Sequence, residues 1–418
     1  MTTQERDIEP KERRFLALLG LPTLALALAI TTVTTYLPVV AREFAGSTLI
    51  IGVIVGIEGL MALWVPLVAG TWSDRLRTRL GGRLPFLIVG TPVIAAALVL
   101  MGVVRSLGLL ALVAAIFFLA YFVAYEPYRA LYPDAVDDEI AGRAQSTQAL
   151  FRGVGTGVAL LGGGLLIGLT KAAPFVLSAM IVLVATAAFV VVLARRGIEE
   201  RPDRADDGSL RAEAGRLRDL LRDHRSLRTF LLANGLWELS LGALKTFIFL
   251  YLTVGLGLRS TQAALAIGAA AVFVLGGAAA GGKLGDRFGR TTVLKWTLPV
   301  YGLGLLVPLV TTSQLAVGVV TPLVAAGGGT IMSLPYAILQ PLMPEEDHGA
   351  LTGYYTFSRG IGTALGPLLA GLAISAGHSA LSGSQGFQAV WGVCSLAILA
   401  SLPVLRRLRR QEREACDA

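Results

Sequence analysis

Long apolar runs recur along the whole chain, near residues 15–40, 48–70, 86–104, 109–131, 148–169, 174–194, 229–254, 261–282, 293–312, 315–340, 350–376 and 387–405. A run of about twenty apolar residues is long enough to cross the hydrocarbon of a bilayer as a helix. Backbone N–H and C=O groups find no water there, so each run must satisfy its own hydrogen bonds as a helix. The pattern predicts an all-α membrane protein with twelve transmembrane helices. Composition agrees: 54% of residues are hydrophobic and 15% are charged, where a soluble chain carries nearer a quarter charged residues. Mean hydropathy is +0.68.

The net charge of +8 suggests a nucleic-acid ligand until its placement is considered. The positive residues fall in alternate loops and in the tails: Lys11, Arg13 and Arg14, the cluster at 75–83, Arg195 to Arg228, Lys283 to Lys295, and Arg406 to Arg413. The opposite loops hold little beyond Arg42, Arg105, Lys171 and Arg259. Such asymmetry is a topology signal and places both termini on the cytoplasmic side of the cell membrane. Nucleic acid is not an expected partner. Residues 1–14 are charged and the run after them is long enough to remain as a span, so no cleaved leader is expected. Cys394 lies in an apolar span and Cys416 in the polar tail, which makes no disulfide framework.

A polar interval at 195–228 divides the spans into six and six. Its first part reads as a charged linker, and Leu210, Leu217, Leu220, Leu221 and Leu227 then fall largely on one helical face among arginines. That pattern suits an amphipathic helix at the membrane surface. The expected organisation is therefore a six-helix bundle at 1–194, the linker, a second bundle at 229–405, and a tail at 406–418. The two halves repeat each other. Pro127, Tyr128, Pro133 and Asp137–Glu139 match Pro335, Tyr336, Pro341 and Glu345–Asp347. Arg152, Gly153, Gly155 and Thr156 match Arg359, Gly360, Gly362 and Thr363. A repeated unit with an even number of spans keeps its orientation, giving two parallel repeats about an axis along the membrane normal, with a solute site expected at their interface.

Between spans two and three lies GTWSDRLRTRLGGRLPF, residues 70–86, and a shorter echo, GKLGDRFGR, occupies 282–290. With the six-plus-six layout, these loops resemble the signature of the major facilitator superfamily. SDRLRTRLGGRLPF and PYRALYPD are most similar to sugar–cation symporters of the sucrose-transporter and glycoside–pentoside–hexuronide type. The resemblance implies a latch role for Asp74, engaging the start of span eleven, with Asp286 in the mirrored place and Arg75, Arg83, Arg287 and Arg290 as partners. On physical grounds, an acid at the end of span two can accept bonds from arginines or from helix-start N–H groups. The alternative is that the arginines only set topology. The paired acids that bind the cation on span two of melibiose-permease-like members do not carry over, because IEGLMALWVPLVAG offers only Glu58. Span five, RGVGTGVALLGGG, lacks the Gly-Pro of proton-driven drug antiporters.

Ionisable residues inside spans each cost roughly 2.5–3.5 kcal/mol at mid-helix on insertion scales, so they require partners or water. Glu58 lies in span two, Glu126 and Arg129 in span four, and Glu238 and Lys245 in span seven. Arg152 and Arg359 hold corresponding places in spans five and eleven. Glu58, Glu126 or Glu238 is expected to carry a coupled proton, with Lys245 or Arg129 as counter-charge. The alternatives are a structural Glu126–Arg129 pair, and Arg152 and Arg359 snorkelling to the interface or pairing with loop acids. Tyr36, Tyr125, Tyr128, Trp237, Tyr336, Tyr354 and Tyr355 are candidates to stack on or hydrogen-bond a solute, or to act as interfacial anchors. Thr31, Thr32, Thr34 and Thr35 form a polar stripe on span one, and Gly162–Gly164, Gly276–Gly277 and Gly327–Gly329 suggest close helix packing.

The chain has no GxxxxGK[ST] phosphate-binding loop, and His224, His348 and His378 are too scattered for a metal site. It is expected to be a monomeric non-enzyme without cofactors, driven by an ion gradient, with protons the expected ion. Its partners are a small-molecule substrate and the lipid bilayer. The favoured expectation is a symporter of a small polar solute, with sugars in mind. A proton-driven exporter of drugs or metabolites is the alternative. A non-transporting receptor fits poorly with charges inside the spans.

Overall fold

A computed structural model of the chain describes residues 10–78, 80–135, 141–196, 222, 225–339 and 351–416. Twelve long helices follow one another: α1 (Pro10–Ala41), α2 (Thr48–Arg75), α3 (Leu84–Val103), α4 (Leu107–Ala135), α5 (Ala141–Ile167), α6 (Ala173–Arg196), α7 (Arg225–Leu250), α8 (Ser260–Phe288), α9 (Arg290–Gly304), α10 (Gln314–Leu339), α11 (Leu351–Gly377) and α12 (Ala389–Cys416). A π-turn, Tyr251–Gly255, prolongs α7, and a further helical turn, Val307–Val310, prolongs α9. Among the described residues, 12 helical segments are long and apolar enough to cross a membrane. This is the predicted all-helical architecture, and the shortest span, Leu84–Val103 with 20 residues, is about 30 Å long at 1.5 Å per residue. The expected linker helix within 195–228 lies mostly outside the described residues, while Arg225–Arg228 form the first turn of α7.

The chain divides into two compact units, one of residues 1–40 and 64–207, the other of 41–63 and 208–418. In the first, α3 packs on α4 and α6, and α5 on α6. In the second, α7 packs on α11 and α12, α8 on α10, and α9 on α10 and α12. The first half of α2 belongs to the second unit. A division by sequence at the linker puts all of span two in the first bundle.

Glycine allows the closest helix contacts. A methyl group on Gly277 of α8 would lie 2.5 Å from the Ala326 Cα of α10, and one on Gly281 would lie 2.8 Å from Thr330 Cγ2. Gly163 of α5 lies beneath the Tyr36 ring of α1. A Cβ on Gly362 of α11 would meet Glu238 Cβ at 2.6 Å, and one on Gly366 would meet Ala243 N at 2.7 Å. Lipid tails are as apolar as leucine, so such backbone approach is what holds membrane helices together. Gly289, with φ at 87°, alone joins α8 to α9; a side chain there would be strained.

The two halves repeat in detail. Arg83, at the start of α3, donates from Nη1 to the Ala130 carbonyl of α4. Arg290, at the start of α9, donates from Nη1 to the Ala337 carbonyl of α10. The Arg–carbonyl separation is 47 residues in both. Each arginine ties the beginning of one helix to the end of the next, within its own unit.

Candidate functional site

Six of the seven charges predicted inside spans form three pairs, and two of the pairs lie together in the second unit. Lys245 Nζ on α7 donates to Glu58 Oε1 on α2 at 3.3 Å. Arg359 Nε on α11 lies 3.6 Å from Glu238 Oε2 on α7. The carboxylates are the better-buried partners: the side chains of Glu58 and Glu238 are 12% and 14% exposed, those of Lys245 and Arg359 39% and 56%. Glu238 and Lys245 are seven residues apart, two helical turns or about 10 Å along α7, so each reaches a different neighbouring helix. Lys245 and Glu58 also act electrostatically on Glu238. The four side chains make a formally neutral cluster. Adding one proton to either acid leaves it positive and weakens one interhelical tie.

The helices around this cluster approach closely. Gly52, Gly56 and Gly59 of α2 face Gly360, Ala364 and Pro367 of α11. A Cβ on Gly59 would lie 2.5 Å from the Gly360 carbonyl oxygen. Thr48 Oγ1 donates to the Gly371 carbonyl at 2.9 Å, and Arg42 Nη2 to Gln385 Oε1 at 2.7 Å. The signal was present in the sequence as glycines spaced four and three apart on span two, matched by small residues at 360, 364, 367 and 371, but spacing alone does not reveal which helix answers which. On the other side of α11, Asn234 Nδ2 donates to Ser358 Oγ at 2.7 Å.

In the first unit, Arg129 Nη1 lies 3.7 Å from Glu126 Oε2, one turn away on α4. Arg152 of α5 has surroundings unlike those of Arg359, with no acid paired to it among the described residues: it donates to the Tyr125 hydroxyl, with its guanidinium carbon 5.6 Å from that ring's centroid. Tyr128 is fully buried between Thr23 and the Leu19 carbonyl of α1.

The remaining candidates are spread more widely. Tyr36 is fully buried, and its hydroxyl donates to the Leu160 carbonyl at 2.6 Å. Trp237 is buried, and its indole N–H donates to Ser401 Oγ at 2.9 Å. The polar atoms of both rings are therefore engaged within the fold. Tyr336 is exposed and meets Tyr355 edge to face at 5.5 Å. The side chain of Tyr354 lies outside the described residues. The threonine stripe is buried: Thr32 bonds Ser178 at 2.9 Å and Thr34 bonds the Ile30 carbonyl.

Asp74 lies on the last turn of α2, with its side chain outside the described residues, and Arg75 ends that helix. Asp286 is exposed and 4.0 Å from Arg290, and Arg287 sits over the Phe288 ring at 5.1 Å. Among the described residues, no group of three or more His, Cys, Asp or Glu could hold a metal ion.

Comparison with known proteins agrees with this architecture. No curated protein sequence matches the chain. Among solved structures, it is similar to a bacterial homolog of the human lysosomal transporter Spinster in an inward-facing, occupied conformation, with a TM-score of 0.79 at 15% identity over 97% of this chain and 98% of that one. It is also similar to the nucleoside transporter NupG, with a TM-score of 0.73 at 15% identity over 94% and 98%. A bacterial homologue of the iron transporter ferroportin in an inward-facing state gives 0.68 at 18% identity over 96% and 99%. At such identities the likeness speaks for the fold alone. The sequence profile of the Major Facilitator Superfamily matches residues 19–282 and again residues 239–417. With helices of the right number and kind, and a profile match reaching from α1 to α12, the chain belongs to the major facilitator superfamily of secondary transporters and is not an enzyme.

Proposed function

We propose that this transporter is a proton-coupled symporter of a small polar solute, with sugars the first class to test, working by alternating access in the cytoplasmic membrane with both termini inside. The observation that carries this reading is the neutral four-charge cluster of Glu58, Lys245, Glu238 and Arg359, built inside spans across α2, α7 and α11. A half-buried pair inside a membrane span is costly to assemble and weak as a pure stabiliser. It becomes useful when one member titrates. A proton on Glu58 removes the tie between α2 and α7, and a proton on Glu238 removes the tie between α7 and α11. Proton occupancy is thereby linked to whether the first half of α2 stays against α11. Solute binding that favours one arrangement then shifts proton affinity by the same free energy.

Replacing Glu58 and Glu238 separately by Gln keeps shape while removing the titrating group. In proteoliposomes with an imposed proton gradient, uphill uptake should be lost in at least one variant, while downhill exchange of the same solute persists. Uphill uptake retained in both variants would overturn the coupling. Resistance to toxic compounds that collapses with the gradient, without solute uptake, would assign the fold to export instead. The Asp74 loop is proposed as the latch of one conformation, through ion-pair and helix-dipole contacts that break in the other. Asp74→Asn should then abolish transport while the protein still reaches the membrane, and normal transport kinetics in that variant would remove the latch.

A further inference from the structure

Arg152, a cation of the first unit, points to the chemistry of the solute. Arg152 is exposed on α5, and among the described residues no carboxylate lies within ion-pair distance of it. The nearest acid in sequence on the facing segment of α4, Glu126, is paired with Arg129. Arg152 is nonetheless held in place. It donates to the Tyr125 hydroxyl and lies over that ring. Tyr125 is stacked on Tyr121 at 5.3 Å with 14° between the planes, and Tyr121 on Phe117 at 6.1 Å with 25°. These aromatic residues, four apart on α4, make a rigid column with the guanidinium at its end. A cation over a ring face keeps its charge and presents its remaining N–H groups away from the ring.

A second, independent observation comes from Gln148. It lies one turn before Arg152 on the same face of α5, is only 5% exposed, and its amide nitrogen has no hydrogen-bond partner. A buried donor left unpaired costs free energy comparable to a lost hydrogen bond, and calls for an acceptor. Two donors on one helical face, one of them a preorganised guanidinium, fit a planar or tetrahedral oxyanion. The repeat sharpens the point: Arg359, the counterpart of Arg152, is answered by the protein's own Glu238.

We propose that Arg152, with Gln148, receives an oxyanion group of the transported solute, a carboxylate or a phosphate ester. The inference rests on the transport reading above and narrows its substrate class to organic anions.

The test is equilibrium binding to the purified full-length chain in detergent, read as melting temperature at matched ionic strength. The probes are charged–neutral pairs: gluconate with glucose, lactate with lactamide, and glycerol 3-phosphate with glycerol. Phosphatidylglycerol is added in a separate arm. At least one anion should stabilise the protein while its neutral partner does not. Arg152→Gln should abolish that preference, whereas Arg152→Lys, which keeps the charge without the planar fork, should weaken affinity about tenfold. Equal shifts by the charged and neutral members of every pair would overturn the proposal using the wild-type protein alone. So would a preference that survives Arg152→Gln, or stabilisation by phosphatidylglycerol only, which would assign the arginine to a lipid headgroup. No gradient is present in this assay, so failure here leaves proton coupling untouched. The Glu58 and Glu238 uptake experiment tests coupling separately.

Discussion

Arg152 and Arg359 stand at matching positions in the two halves of a duplicated chain, yet they live in different electrostatic settings. Arg359 is answered by Glu238 from the adjacent helix α7. Arg152 has a tyrosine hydroxyl and a ring face instead. The close packing beneath them is comparable: Gly362 of α11 lies against α7 near Gly235 and Glu238, and Gly155 of α5 lies against α1 near Leu24. Duplication thus preserved the backbone contact and the cation, while among the described residues a carboxylate answers the cation on one side only. One half carries its own counter-ion, suited to exchanging a proton. The other holds a cation without an ionic partner among the described residues, suited to a ligand.

This contrast can be broken most directly by removing each arginine in turn. Arg359→Ala strands a carboxylate that is 14% exposed, and should destabilise the protein by about 2 kcal/mol, discounted for the half-exposed arginine. Arg152→Ala removes a bond to a neutral hydroxyl and a ring contact, with a cost of about 1 kcal/mol or less. Thermal unfolding of the two variants side by side checks this, and equal losses would erase the distinction. Next in size, Gly59→Ala presses a methyl group into the Gly360 carbonyl, with an expected cost of about 1–2 kcal/mol. Gly153→Ala on α5, where a methyl meets nothing within 4 Å, should instead stabilise by about 0.5 kcal/mol through helix propensity. Stabilisation in both glycine variants would mean that the α2–α11 contact is not a tight one.

Glu238→Gln in the binding assay probes the same difference from the second half. Neutralising that acid makes the second half resemble the first, and the released Arg359 should raise anion-dependent stabilisation by a few tenths of a kcal/mol or more. The smallest expected effect belongs to the two clasps onto helix ends. Arg83→Lys and Arg290→Lys keep charge but lose the fixed N–H geometry to the Ala130 and Ala337 carbonyls. Each should cost well under about 1 kcal/mol, and by nearly the same amount, because the contacts repeat. Chemical unfolding of the two variants measures this, and a large inequality would show that the clasps are not equivalent.

Most of the architecture was readable from residue order. The apolar runs anticipated the helices within a few residues at most ends, although α12 continues well past residue 405 through a basic segment, to Cys416. The site was legible in its ingredients and not in its pairings. Glu58, Glu238, Lys245 and Arg359 stood out because charge inside a span is expensive. Sharing one helical face did not make partners of Glu238 and Lys245: each turns to a different neighbour, Arg359 and Glu58 respectively. Gln148 carries no signal in the sequence, since an uncharged amide in a polar helix start is ordinary until its burial and missing partner are seen.

Residue order is enough to establish a twelve-span helical membrane protein of repeated halves within a transporter superfamily, because span length, charge placement and motif spacing are local properties of the chain. The fold alone settled that the first half of α2 belongs with the second unit, that small residues on α2 and α11 face each other, and that one repeat arginine meets a carboxylate while its twin meets a tyrosine. Those facts depend on how each helix is rotated about its axis and which neighbour it meets, which local periodicity does not specify.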